Sequence, residues 1–145
     1  MLSPTCIFLN EMNHIIVNSH AQQWLEMSAA AGLNPLVIRH KNLLPIVQGG
    51  MGVGVSASKL AGAVARLGGM GTISSVDLRR HHPDLMARTG HLNKEPDARE
   101  QIDQANLQAL DREIHLARAI ASNEGWIAVN VMKALSAYEG YVKQA

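Results

Sequence analysis

The chain has 145 residues, 47% of them hydrophobic and 17% charged, with a formal net charge of +1. That is the composition of one globular domain, and it leaves no large field to draw nucleic acid or an anionic membrane. Aromatic residues, at 3%, leave few platforms for stacking bases, so no nucleic-acid partner is expected.

The single cysteine, Cys6, excludes an intrachain disulfide and fits a reducing, cytoplasmic home. Met1 to Leu9 lack the basic start and sustained apolar run of a secretory signal. No stretch approaches the roughly 18 consecutive apolar residues of a membrane span. No membrane role is expected.

Residues 1–33 read differently from the rest and are expected to be a leader or non-native extension. Up to Val17 they show no clean period; a short helix then opens at Ser19 as N-cap and stops at Gly32. From Asn34-Pro35 the pattern sharpens. Leu36-Val37-Ile38 and Leu43-Leu44, parted by Arg39-His40-Lys41-Asn42, predict a small hairpin or a strand and turn. Ile46-Val47-Gln48 is a short apolar strand entering Gly49-Gly50-Met51-Gly52-Val53-Gly54. Ser56 suits an N-cap, and Leu60, Ala61, Val64 and Leu67 form a helical stripe that ends at Gly68-Gly69.

A second strand is predicted over 71–76, then a polar stretch from Asp77 to Pro96, read as loop with about one helical turn. Asp97 starts a long helix whose Ile102, Ala105, Ala109, Leu110, Ile114, Ala117 and Ala121 recur three or four residues apart, ending at Asn123 and Gly125. Trp126-Ile127-Ala128-Val129-Asn130-Val131 is a third strand, and a last helix begins near Ser136. Strand and helix alternate, which argues for a parallel sheet with helical crossovers. The alternation does not separate a barrel from an open doubly wound sheet.

The glycine-rich turn lies between a strand's carboxyl end and a helix's first turn, where parallel α/β proteins bind ligands. Gly52-x-Gly54-x-x-Ala57 also matches the dinucleotide fingerprint, with Asp77 near the end of strand two as the ribose-binding acid. A nicotinamide-binding, Rossmann-like dehydrogenase domain is therefore an alternative, and a tight turn holding no ligand is the plainest one.

Three runs taken in order carry a resemblance: Pro45-Ile46-Val47-Gln48-Gly49-Gly50-Met51-Gly52-Val53-Gly54-Val55-Ser56 with Leu60-Ala61-Gly62-Ala63-Val64-Ala65, then Gly68-Gly69-Met70-Gly71-Thr72-Ile73-Ser74, then Ile127-Ala128-Val129-Asn130-Val131-Met132. From Asn34 onward the chain resembles the opening of the nitronate monooxygenases, formerly called 2-nitropropane dioxygenases. Related flavin barrels, including a flavin-dependent enoyl-thioester reductase, share the pattern. The resemblance implies a (β/α)₈ TIM barrel binding FMN without covalent attachment and oxidising alkyl nitronates with O2. It places Gln48, Gly50, Met51, Gly52 and Asn130 against the flavin, Asn130 through its side-chain amide.

The chain also departs from that family. A barrel of this kind takes about 250 residues and grips phosphate after strands seven and eight. About three βα units are legible, and no Ala-Gly-Gly-His-type segment, the family's source of its catalytic histidine, is present. The expectation is a truncated fragment with no assignable catalytic residue, open sheet edges prone to self-association, and poor FMN binding. A non-catalytic remnant pairing through those edges is the third reading.

Other residues attract chemistry only superficially. His81-His82 with His91 could suggest a metal, yet neighbouring residues on an extended segment face opposite ways and no further ligand is spaced nearby, so no metal is expected. His82 and Asp84 lack acid–base geometry. Arg79-Arg80 is read as charged surface, His81-His82 as solvated loop, His115 as a solvated helix position, and Met70 as belonging to the face away from chemistry.

Overall fold

The computed structural model describes residues 7–9, 15–17, 20–92, 97–133 and 137–145. Among them β1 (Ile7–Leu9) and β2 (Ile15–Val17) pair antiparallel, a hairpin in the region where the sequence shows no clean period. Helix α1 (His20–Ala30) ends at Gly32, whose φ of +80° lets its N–H reach Ala29 O at 2.9 Å while Leu33 N–H reaches Ser28 O at 2.9 Å. Ser19, the expected cap, lies outside the described residues. The predicted small hairpin is present as β3 (Leu36–Ile38) against β4 (Lys41–Leu43).

The strand expected at 46–48 is reduced to one parallel bridge, Val47 to Met70. Its main-chain bonds are Met70 N–H to Ile46 O and Gln48 N–H to Met70 O, both 2.9 Å. Helix α2 (Ser58–Arg66) follows. Two expectations fail here. Ser56 is not its N-cap: the flanking residue is Ala57, with no side-chain cap, and the Ser56 hydroxyl is committed inside the preceding loop. Of the expected Leu60, Ala61, Val64 and Leu67 stripe only Ala61 is buried; both leucines are exposed, and the buried face is Ser58, Ala61, Gly62 and Ala65. Small residues win because they let α2 close on the next layer: a Cβ on Gly62 would stand 2.7 Å from Ile120 Cβ.

β5 (Met70–Ser74) runs parallel to β6 (Trp126–Asn130), in register from Met70 with Trp126 to Ser74 with Asn130. Met70 thus opens the strand at its amino end. The stretch after β5 is more ordered than a loop. A 3₁₀ turn (Leu78–His81) leads into α3 (Pro83–Thr89), with Pro83 in the first turn and Leu78, Leu85 and Thr89 buried. Arg79, read as charged surface, is buried in that packing at 8% exposure. Leucines seven apart on a polar background gave too short a period to read.

The long helix, α4 (Ala98–Ala121), forms as predicted and closes with Ser122 and Asn123 in left-handed conformation. A last helix, α5 (Tyr138–Gln144), follows; Ser136 lies outside the described residues. One core joins Ile73, Leu78, Leu85, Leu110, Ile114 and Tyr141 to the alanines of α2 and α4, with Ile127 and Val129 packed against it. Each fully buried leucine or isoleucine contributes about 1.5–3 kcal/mol over exposure. Since Ile73, Ile127 and Val129 face this helical layer, alternation puts Thr72, Ser74 and Asn130 on the sheet's other face.

The protein is mixed α/β. Among the described residues each sheet has two strands, and none closes into a barrel. No described helix is long and apolar enough to cross a membrane.

Candidate functional site

The glycine-rich loop sits at the carboxyl ends of the parallel strands. Gln48 enters it with both ends of its amide engaged: Oε1 accepts from Thr72 N–H at 2.9 Å, and Nε2 donates to Ser56 Oγ at 2.8 Å and to Gly49 O. Ser56, fully buried, accepts from Met51 N–H at 2.8 Å and donates to Gly49 O at 3.0 Å. Farther along, Ser56 O takes the Ser74 N–H at 2.9 Å, tying the loop's end to the end of β5.

Asn130 approaches from β6. Its Nδ2 donates to Gly50 O at 3.3 Å, and a Cβ placed on Gly50 would stand 2.6 Å from Asn130 Cβ. A Cβ on Gly52 would lie 3.5 Å from Ser74 Oγ, on the same face. The five residues singled out, Gln48, Gly50, Met51, Gly52 and Asn130, therefore meet on one rim. Among the described residues the N–H groups of Gly49, Gly50, Gly52, Val53, Gly54 and Val55 donate to no protein acceptor. Beside these free donors the side chains of Met51, Val53 and Val55 are exposed, an apolar surface next to a polar one.

The geometry at the dinucleotide fingerprint is different. A pyrophosphate would need the first amides of α2, but Ser58 N–H already donates to Glu113 Oε2 at 2.7 Å. Glu113 is a buried residue of α4, and its Oε1 lies 3.2 Å from His82 Nε2. His82 is thus not solvated, contrary to expectation; the buried acid draws it in. Asp77, the would-be ribose acid, is paired with Arg79 Nε at 3.0 Å and with Arg80. Gly54, at φ +70°, has His81 where its Cβ would be, so packing already accounts for this glycine.

Several other polar and titratable side chains have structural partners. Arg112 grips both oxygens of Asp84 at 2.9 and 2.8 Å, which holds that carboxyl down at about 2. Arg79 Nη1 donates to Thr89 Oγ1 at 3.1 Å, and its main-chain N–H to Asn106 Oδ1 at 3.1 Å. Burial pushes the phenol of Tyr141 up to about 12, aided by the charges of Asp103 and Asp77. His115 is exposed beside Asp111, as expected of a solvated position. Among the described residues no three His, Cys, Asp or Glu side chains converge as a metal site. Cavities of about 610 and 540 Å³ lie away from the loop, the first lined by Arg88, Thr89 and Glu100, the second by Arg39, Arg118 and Trp126.

Thr72 and Glu113 belong to these networks and were not singled out from sequence, and Ser56 was read only as a helix cap. A serine two residues before a helix and a glutamate in an apolar helical face are the signals they offer. A scan of protein-family models, a search of curated proteins and a search of solved structures each find no match to the chain.

Proposed function

We propose that residues 34–145 are the first three βα units of an FMN-dependent (β/α)₈ oxidoreductase resembling nitronate monooxygenase, and that they form the wall on which the flavin ring rests. The observation that carries this reading is the rim itself. Gly50 meets Asn130 at a loop with six N–H groups that find no acceptor among the described residues, flanked by exposed Met51, Val53 and Val55. A flat ring whose edge carries carbonyl oxygens and ring nitrogens suits free donors beside an apolar surface.

The fit extends to side chains. Asn130 is exposed, and its single long bond to Gly50 O leaves one amide proton and the carbonyl for a ligand. Gly50 lets the main chain come close because no Cβ intervenes. When bound, the flavin supplies the electron transfer between an alkyl nitronate and O2. The chain's own residues would bind and orient the ring; the catalytic base is not assigned to any of them. A cytoplasmic location goes with this reading.

The nicotinamide alternative is less well supported, because Glu113 holds the first amide of α2 and two arginines hold Asp77. Fluorescence titration of the full chain with FMN, lumiflavin and NAD is the test. The ring-resting reading expects lumiflavin, which lacks the ribityl phosphate, to bind about as well as FMN, and Asn130→Ala to weaken both. Binding of NAD that disappears with Asp77→Ala, or no binding of either flavin, would overturn it.

A further inference from the structure

We infer that Gln48 is a positioning residue that builds the ligand-facing loop, and that it does not itself touch the ligand; only the binding arm of the test rests on the flavin reading above. The inference starts from the edge of β5. Its N–H groups at 70, 72 and 74 point to one side, where a neighbouring parallel strand would accept all three. Ile46 O takes the first and Ser56 O the third, each at 2.9 Å. Between them the main chain has left the edge to form the loop, and the Thr72 N–H would face no acceptor. Gln48 Oε1 takes it instead, at 2.9 Å. A side chain thus fills the gap in the ladder that the loop creates.

The other end of the same amide shapes the loop. A carboxamide carries two donor protons, and Nε2 directs them to Ser56 Oγ, at 2.8 Å, and to Gly49 O. Ser56 Oγ then accepts from Met51 N–H and donates to Gly49 O, which completes the capacity of a hydroxyl. The network is closed, and it runs through a fully buried serine. No donor of Gln48 remains for a ligand. What it does is turn Gly49 O and Met51 N–H inward, so that the loop donors left without an acceptor among the described residues are those of Gly49, Gly50 and residues 52–55.

Amide hydrogen exchange by NMR on the full-length chain, without ligand, tests the architecture. Gln48→Leu should speed exchange about tenfold at Thr72, the loss expected when a net hydrogen bond is removed, and less at Met51, whose acceptor Ser56 Oγ remains. Ser56→Ala should speed exchange about tenfold at Met51 while leaving Thr72 protected. Gln48→Glu, which keeps an acceptor for Thr72 but loses both protons, should also spare Thr72. FMN affinity in the single and double variants tests the role. Because Gln48 and Ser56 act through one loop, Gln48→Leu and Ser56→Ala should each weaken FMN, and together no more than the worse single change. Unchanged Thr72 exchange in Gln48→Leu, or affinity losses that multiply, would overturn the inference. If the unaltered chain binds no flavin, the functional reading fails while the exchange arm still decides the place of Gln48. If Gln48→Leu does not fold, the Gln48→Glu and Ser56→Ala exchange patterns decide it, and loss of Thr72 protection in Gln48→Glu counts against it.

Discussion

Asn130 occupies the space that any side chain at Gly50 would need. The two residues are 80 apart in sequence, yet Nδ2 of one lies 3.3 Å from the carbonyl oxygen of the other, and a Cβ at Gly50 would fall 2.6 Å from Asn130 Cβ. Gly50→Ala should therefore cost about 1–3 kcal/mol, the range for overpacking. Asn130→Gly in the same chain should recover most of the overpacking part. Urea unfolding of the two single variants and the double one reads this directly, and a double variant no more stable than Gly50→Ala would refute the contact.

Glu113 caps a helix to which it does not belong. α2 has no side-chain cap of its own, and the buried carboxylate of α4 takes Ser58 N–H at 2.7 Å. Glu113→Ala should destabilise by about 1–3 kcal/mol because that donor is left unpaired. Glu113→Gln keeps a carbonyl for Ser58 and an amide for His82, and should cost less than half as much. Equal losses in urea unfolding would argue against the cap.

Gly71 is a point of close approach between β5 and α2. A Cβ there would overlap the main chain of Ala61, 2.7 Å from its Cα. Since backbone cannot rotate aside as a side chain can, Gly71→Ala should cost about 3 kcal/mol or more and depress the melting temperature more than Gly50→Ala. The reverse ranking in a thermal melt would contradict this packing.

Tyr141 links stability to alkaline pH. Its phenol is raised to about 12 in the fold, first by burial, against an ordinary value near 10. A raised value means the neutral form is favoured in the fold, so the stabilisation is complete below pH about 10 and is lost as pH climbs toward about 12. Tyr141→Phe should flatten that part of the stability–pH curve. An unchanged alkaline slope in the variant would show that another group is responsible.

The long-period features were legible in sequence and the short or cross-chain ones were not. α4 declared itself through seven apolar positions over twenty residues, and β6 through an unbroken apolar run. Gln48, Gly50, Met51, Gly52 and Asn130 were picked out by the family resemblance, and they share one rim because successive parallel strands end on the same side. What sequence could not give was the partner of each polar group. Nothing local predicts that the Thr72 N–H, 24 residues on, takes the Gln48 side chain as its acceptor. Glu113 and His82 find each other only once α3 and α4 are packed. Leu60 and Leu67 misled because hydrophobicity marks a stripe, whereas close helix contact selected alanine and glycine.

The span of α4 has a mechanical consequence. Its 24 residues extend about 36 Å, while the five residues of β5 cover only about 16 Å. Ala117 and Ile120, near its carboxyl end, lie beside Gly62 of α2, while Asn106 and Leu107, in its amino-terminal half, meet Arg79 and Gly140 of α5. A single rigid element therefore splints two unlike neighbourhoods. A tilt imposed on it by a change near Tyr141 would act, as through a lever, on the helix that follows the glycine-rich loop.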